Sequence, residues 1–160
     1  FGADYYSFQY GNLYGIVLNS SLFFDPSLAP EEAGKQDAWL RSTLEKAKKQ
    51  KYTHIVVFQH IPWFSNQPNE ENGYFNIPSE RRKVYIDLLQ QYGVAYVFAG
   101  HLHKNALGNY GNLHMITTGP VGKPLGKDSS GFRIVMVDGN KISYPYYSLD
   151  SIPKNVALSH

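Results

Sequence analysis

Three histidines stand where this sequence can do chemistry. Gly100-His101-Leu102-His103 follows the apolar run 94–99, and His60 follows the apolar run 55–58. Imidazole changes charge near neutral pH, and its nitrogens ligate first-row divalent ions. In an extended segment, residues two apart face the same way. The Gly-His-x-His corner therefore reads as two donors aimed at one site. There is no cysteine, so thiolate metal sites and disulfide frameworks are excluded. A metal here must use His, Asp, Asn or Glu. The other histidines lack this setting. His54 opens a strand, His114 lies in a later β segment and His160 is terminal, so each reads as structural or solvated.

The elements that position these donors follow from hydropathy. The spacing predicts a strand over 53–59, a helix over 78–92 and a strand over 94–99, with Gly93 as the helix stop. A strand–helix–strand unit makes its two strands parallel, and parallel strands end on the same edge of the sheet. His60, His101 and His103 thus converge on one edge, where α/β folds place their sites. The connection over 61–77 is long for a compact domain, and loops of that length are often functional.

The remaining chain supports an α/β reading. Runs over 4–10 and 13–19 flank Gly11-Asn12 as a β-hairpin, and 20–29 reads as a loop. Pro30-Glu31-Glu32 suits a helix start. Ala33, Leu40, Leu44 and Ala47 then form an apolar stripe with Trp39 beside it. Lys46, Lys48, Lys49 and Lys51 crowd the helix end, where cations are favoured. Beyond the corner, strands are expected over 105–110, 113–118, 132–138 and 141–147, with a glycine-rich loop over 119–131. That loop lacks phosphate-loop spacing, and Lys123 and Lys127 are only minor candidates for anion contact. No internal repeat or domain linker is visible. The 160 residues, 42% hydrophobic with a net charge of +2, fit one domain. Without a basic block beyond the helix end, nucleic acid is not expected as a partner. No apolar run is long enough for a membrane helix.

Phe58-Gln59-His60-Ile61-Pro62 and Gly100-His101-Leu102-His103 resemble the last two metal motifs of calcineurin-like metallophosphoesterases. Asp4 to Phe8, Val17 to Ser20, Tyr74 to Asn76, Lys104-Asn105 and Tyr146 to Asp150 resemble the branch of that family described as serine/threonine phosphatases. The resemblance implies a four-layer α/β/β/α sandwich, of which this chain would be the C-terminal half: part of a mixed sheet and two main helices. It implies two metal ions (Mn, Fe or Zn), with His60 and His101 on one and His103 on the other. A hydroxide shared by the ions would attack the phosphorus of a phosphomonoester in line. It also implies a phosphorylated substrate and a cytoplasmic setting, although the sequence itself fixes no compartment. Gly100 would permit a sharp turn, and Lys104 and Asn105 would contact substrate or brace the site.

The earlier family motifs, Asp-x-His, Gly-Asp and Gly-Asn-His, do not occur. The Gly-Asn pairs at Gly11, Gly108, Gly111 and Gly139 are not followed by histidine. With Phe1 rather than Met at the start, the expectation is a chain lacking the N-terminal half of its domain, that half being its missing partner, and inactive alone. Two other readings stay open. The three histidines could form a mononuclear zinc site with an open fourth position. Alternatively, the aromatic loop of Trp63, Phe64, Tyr74 and Phe75 could be a non-enzymatic binding surface. Phe75 is expected in the core. Trp63 and Phe64, directly after His60, are candidates for a substrate wall.

Overall fold

The computed structural model describes residues 2–157; His160 lies outside them. A six-stranded mixed sheet organises the chain, in the order β1-β2-β3-β4-β6-β5. The strands are β1 (Tyr6–Tyr10), β2 (Leu13–Val17), β3 (His54–Phe58), β4 (Val94–Ala99), β5 (Ala106–Tyr110) and β6 (Leu113–Thr117). The four central strands β2, β3, β4 and β6 run parallel, and the outer hairpins close each edge antiparallel. The expected hairpin turns through Gly11, whose φ of +53° is a conformation glycine adopts without steric cost.

Of the helices, α2 (Pro30–Lys49) and α3 (Ser79–Gln91) are the two main ones. The 20–29 segment departs from the expected loop: α1 (Ser21–Phe24) and a 3-10 turn (Pro26–Leu28) occupy it. Phe23 is the reason, since its buried ring packs on Trp63 and Tyr85. Gln36 of α2 is wholly buried. Its amide both donates to the Asn19 carbonyl (3.0 Å) and accepts from the Asn19 N–H (2.8 Å). That pair fixes α2 against the carboxyl edge of the sheet.

Strand alternation divides the interior. Ile55 and Val57 join the main core with Leu40, Leu44 and Leu89. Val56, between them, joins Phe98, Ile116 and Ile142 in a separate cluster. One face of the sheet is thus packed by helices. The other is partly covered by a hairpin built from β7 (Gly131–Arg133), β8 (Met136–Asp138), β9 (Lys141–Ser143) and β10 (Tyr146–Ser148). Two unbroken strands were expected here. The β10–β7 and β8–β9 pairings share one register, and the ladder is interrupted near Pro145, which has no N–H to donate. Phe8, Tyr10, Leu13, Phe58, Val135 and Val137 line an open cavity of about 450 Å³ beside this hairpin. No helix among the described residues is long and apolar enough to cross a membrane.

Candidate metal centre

The parallel pairing of β3 and β4 continues past the strand ends. Gln59 N–H donates to the Phe98 carbonyl (3.0 Å), and Gly100 N–H donates to the His60 carbonyl (3.1 Å). The sheet edge therefore brings two of the three histidines into contact. His101 Nδ1 lies 3.2 Å from His60 Nε2, with the rings nearly perpendicular and 5.0 Å apart.

The corner is not extended as the spacing suggested. His101 and His103 both take left-handed backbone, at φ +68° and +52°, and Leu102 N–H closes a tight turn to the Gly100 carbonyl (2.8 Å). The sharp turn falls on the histidines, not on Gly100. A side chain at Gly100 would meet the His60 ring at an ordinary 3.5 Å. Left-handed non-glycine residues cost free energy and gather at functional sites. Buried Leu102 anchors the corner between them. His103 accordingly turns toward the glycine-rich loop, where its Nδ1 meets the Lys123 carbonyl at 3.1 Å.

The hydrogen bonds assign the rings. A carbonyl can only accept, so His101 Nε2–H donates to the Tyr74 carbonyl at 2.8 Å and leaves Nδ1 with its lone pair. By the same logic His103 Nδ1–H donates and leaves Nε2 free. His60 is held below its ordinary value of 6.5, first by burial and then by the imidazoles of His101 and His103. That favours the neutral form, which is the ligating one.

These donors suit a divalent ion. Two imidazole nitrogens on one tetrahedral ion stand roughly 3.3 Å apart, close to the 3.2 Å between His60 Nε2 and His101 Nδ1. A ligating histidine ordinarily donates its second ring N–H to a carbonyl or carboxylate, as His101 does to Tyr74. His60 and His101 are thus a fitting donor pair. The described residues contain no group of three or more His, Asp or Glu side chains placed to hold an ion.

The residues expected to meet substrate divide. Trp63 and Phe64 are wholly buried and form no wall. Trp63 stacks on Tyr85 at 5.4 Å and tilts against Phe23 at 5.1 Å, so the helical turn at 21–24 draws it into the core. Phe75, expected inside, is 49% exposed. Phe75 and Tyr74 instead pack their rings on His101, at 6.2 and 4.7 Å. Asn105 braces the corner. Its Oδ1 accepts from Gly119 N–H (3.2 Å) and Arg133 Nη2 (2.9 Å), and its backbone N–H and side chain both meet Asp128. Lys104 is exposed and forms no ion pair among the described residues. With Glu71, Phe75, Leu102 and Leu125 it lines a cavity of about 450 Å³ beside the corner. Among the described residues the ammonium groups of Lys123 and Lys127 form no hydrogen bond or ion pair, and Lys123 meets His103 through its carbonyl. His54 is structural, its Nε2 bound to the Gly139 carbonyl at 2.8 Å, and His114 stacks on Tyr96.

The sequence reading missed the supports of the 61–77 loop: Tyr74 through its carbonyl, Glu70, Asn76 and Arg82. A backbone carbonyl leaves no sequence signal. Arg82 did leave one, because it shares a helix face with the buried Ile86 and Leu89, four and seven residues on.

A family model described as calcineurin-like phosphoesterase matches residues 2–105. The serine/threonine-protein phosphatase CPPED1 of Rattus norvegicus is 42% identical over 153 residues, covering 96% of this chain and 49% of the relative. The same-named protein of Danio rerio is 42% identical over 151 residues, covering 94% and 49%. Purple acid phosphatase 18 of Arabidopsis thaliana is 29% identical over 99 residues, covering 62% and 20%. The chain spans about half the length of the CPPED1 relatives. Among solved structures, the Plasmodium protein titled "GAP50 the anchor in the inner membrane complex" aligns with a TM-score of 0.69 at 20% identity. That alignment covers 90% of this chain and 49% of the other, a likeness of fold.

Proposed function

The chain belongs to the calcineurin-like phosphoesterase family, and on that footing we propose that it carries part of the active site of a metal-dependent phosphatase. Its substrate would be a phosphomonoester, phosphoserine or phosphothreonine in a protein, as the names of its CPPED1 relatives suggest. The single observation that carries this reading is the His60–His101 pair, with facing nitrogens 3.2 Å apart and one second nitrogen tied to a carbonyl. His60 and His101 would hold one divalent ion, and His103, through its free Nε2, the other. When bound, two such ions supply a nucleophile at neutral pH and neutralise charge on the phosphoryl oxygens.

The chain's own residues do the rest. The Tyr74 carbonyl keeps the proton on His101 Nε2, so that Nδ1 faces the site. Asn105 and Asp128 fix the segment after His103. Lys104 supplies a cation at the cavity, suited to a phosphate oxygen. Among the described residues the site is a set of imidazoles without gathered carboxylates. We assign the remainder to another half of the domain, which would complete the sandwich against the sheet face where Phe8, Tyr10 and Phe58 line an open cavity. A mononuclear three-histidine zinc site has less support, because His103 turns to Lys123. An aromatic binding loop has less support, because Trp63 and Phe64 are buried.

The test uses p-nitrophenyl phosphate with Mn²⁺. The chain alone should show little turnover. A fusion to the remaining half of the rat relative should turn over and lose at least about 100-fold on His101→Ala. Robust turnover by the isolated chain would overturn the shared-site reading. A fusion that is active and indifferent to His101→Ala would overturn the site.

A further inference from the structure

The 61–77 loop is held by more hydrogen bonds than a connection between two elements requires. Arg82, in the first turn of α3, is wholly buried, yet it spends its guanidinium on loop backbone. Nε donates to the Ile77 carbonyl (3.0 Å), and Nη1 donates to the carbonyls of Pro68 (2.8 Å) and Glu70 (2.7 Å). Arginine's rigid fork suits several acceptors at once, which a lysine ammonium cannot reproduce in that geometry.

Glu70 and Asn76 continue the brace. The Glu70 carboxylate accepts from Ser65 N–H (2.8 Å), Asn66 N–H (3.1 Å) and Asn76 Nδ2 (2.8 Å). Asn76 is buried. Its Oδ1 accepts from Gly73 N–H (3.2 Å), and its Nδ2 also donates to the Glu71 carbonyl (2.9 Å). Only Tyr74 and Phe75 lie between Gly73 and Asn76. The brace thus encloses a two-residue tip, and the carbonyl at that tip is the one that meets His101 Nε2 at 2.8 Å.

We propose that Arg82, Glu70 and Asn76 are positioning residues for His101: by holding the Tyr74 carbonyl on Nε2, they keep that ring as the Nε2–H tautomer with Nδ1 open toward His60. The three hydrogen-bond to the loop, not to His60 or His101, and act through it. The proposal rests on the metal-site reading for its purpose, but its structural content stands without a metal.

The test reads the tautomer directly, on the whole chain with no metal added. Long-range proton–nitrogen spectra of the imidazoles at pH 8.5 report which nitrogen carries the proton. In the parent chain His101 should show a protonated Nε2 and a bare Nδ1. In Asn76→Ala the two His101 nitrogen shifts should move toward each other, as Nδ1–H becomes populated, while those of His54 stay fixed. Arg82→Lys should behave like Asn76→Ala, because it restores the charge without the fork. If Asn76→Ala does not fold, Glu70→Ala removes the carboxylate that accepts from Ser65, Asn66 and Asn76. Unchanged His101 nitrogens in a folded variant overturn the proposal, whether or not the loop amides exchange faster. This outcome is independent of the fusion assay, so a failed phosphatase reading and a failed brace are told apart.

Discussion

Two loops flank the histidine corner, and they are built differently. The 61–77 loop has an interior of its own. Ile61, Trp63, Phe64, Asn76 and Ile77 are buried, and Ile77 N–H closes the loop on the Pro62 carbonyl at 3.0 Å. The glycine-rich loop after β6 leaves Val121 and Leu125 exposed. It is tied to the corner by Asp128 on Asn105, by Leu125 N–H on the His103 carbonyl (2.7 Å), and by the His103 ring on the Lys123 carbonyl. Each ring therefore meets a loop carbonyl, but the one at His101 belongs to a packed loop and the one at His103 to an open loop. One Gly-His-x-His spacing yields two environments, because the left-handed turn sends the rings to different loops.

The largest effect expected from this contrast is on stability. Trp63→Ala removes a wholly buried ring that contacts Phe23 and Tyr85, and such truncations cost about 3–5 kcal/mol. Val121→Ala, on the other loop, is exposed and should stay within about 0.5 kcal/mol. Urea unfolding midpoints of the two variants measure the contrast. A Trp63→Ala cost as small as that of Val121→Ala would erase the distinction between the loops.

Acid should loosen the first loop. Burial pushes the Glu70 carboxyl up, but hydrogen bonds from Asn76, Ser65 and Asn66 outweigh it and hold the group below its ordinary 4.5. A depressed carboxyl contributes stability that is complete above the unfolded value and is lost as the pH falls through the folded one. Loop amide exchange at 61–77, measured relative to 119–131, should therefore accelerate below about pH 4.5. Glu70→Gln should raise exchange at neutral pH and remove its dependence on pH in that range. Equal acid sensitivity of both loops would contradict the assignment.

Much of this was legible in the chain. Strand–helix–strand logic placed His60 and His101 on one edge because parallel pairing leaves no other arrangement for two strand ends. The tail hairpin was legible as well, apart from the break at Pro145. Burial within the long loop was not. Trp63 and Phe64 follow a site residue and precede no periodic pattern, so nothing local revealed that Phe23, forty residues earlier, would cover Trp63. Phe75 was misplaced for the converse reason: its hydrophobicity argued for the core, while Gly73 and Asn76 hold the tip outward. The left-handed turn at His101 and His103 was hidden too, since histidine carries no signal for positive φ comparable to glycine's.

The smallest predicted effect tests the claim that backbone frames His103. Lys123 offers that ring a carbonyl, and among the described residues its ammonium group forms no hydrogen bond or ion pair. A substitution that keeps the backbone should keep the bond. Lys123→Ala is expected to change stability by less than about 0.5 kcal/mol and to leave His103 protonated on Nδ1 in the same imidazole spectra. The reciprocal bond from Leu125 N–H to the His103 carbonyl holds the loop in place independently of residue 123. A shift of the His103 nitrogens in Lys123→Ala would mean that the lysine side chain orients the ring. The two loops would then differ in the way they set their histidines as well as in packing.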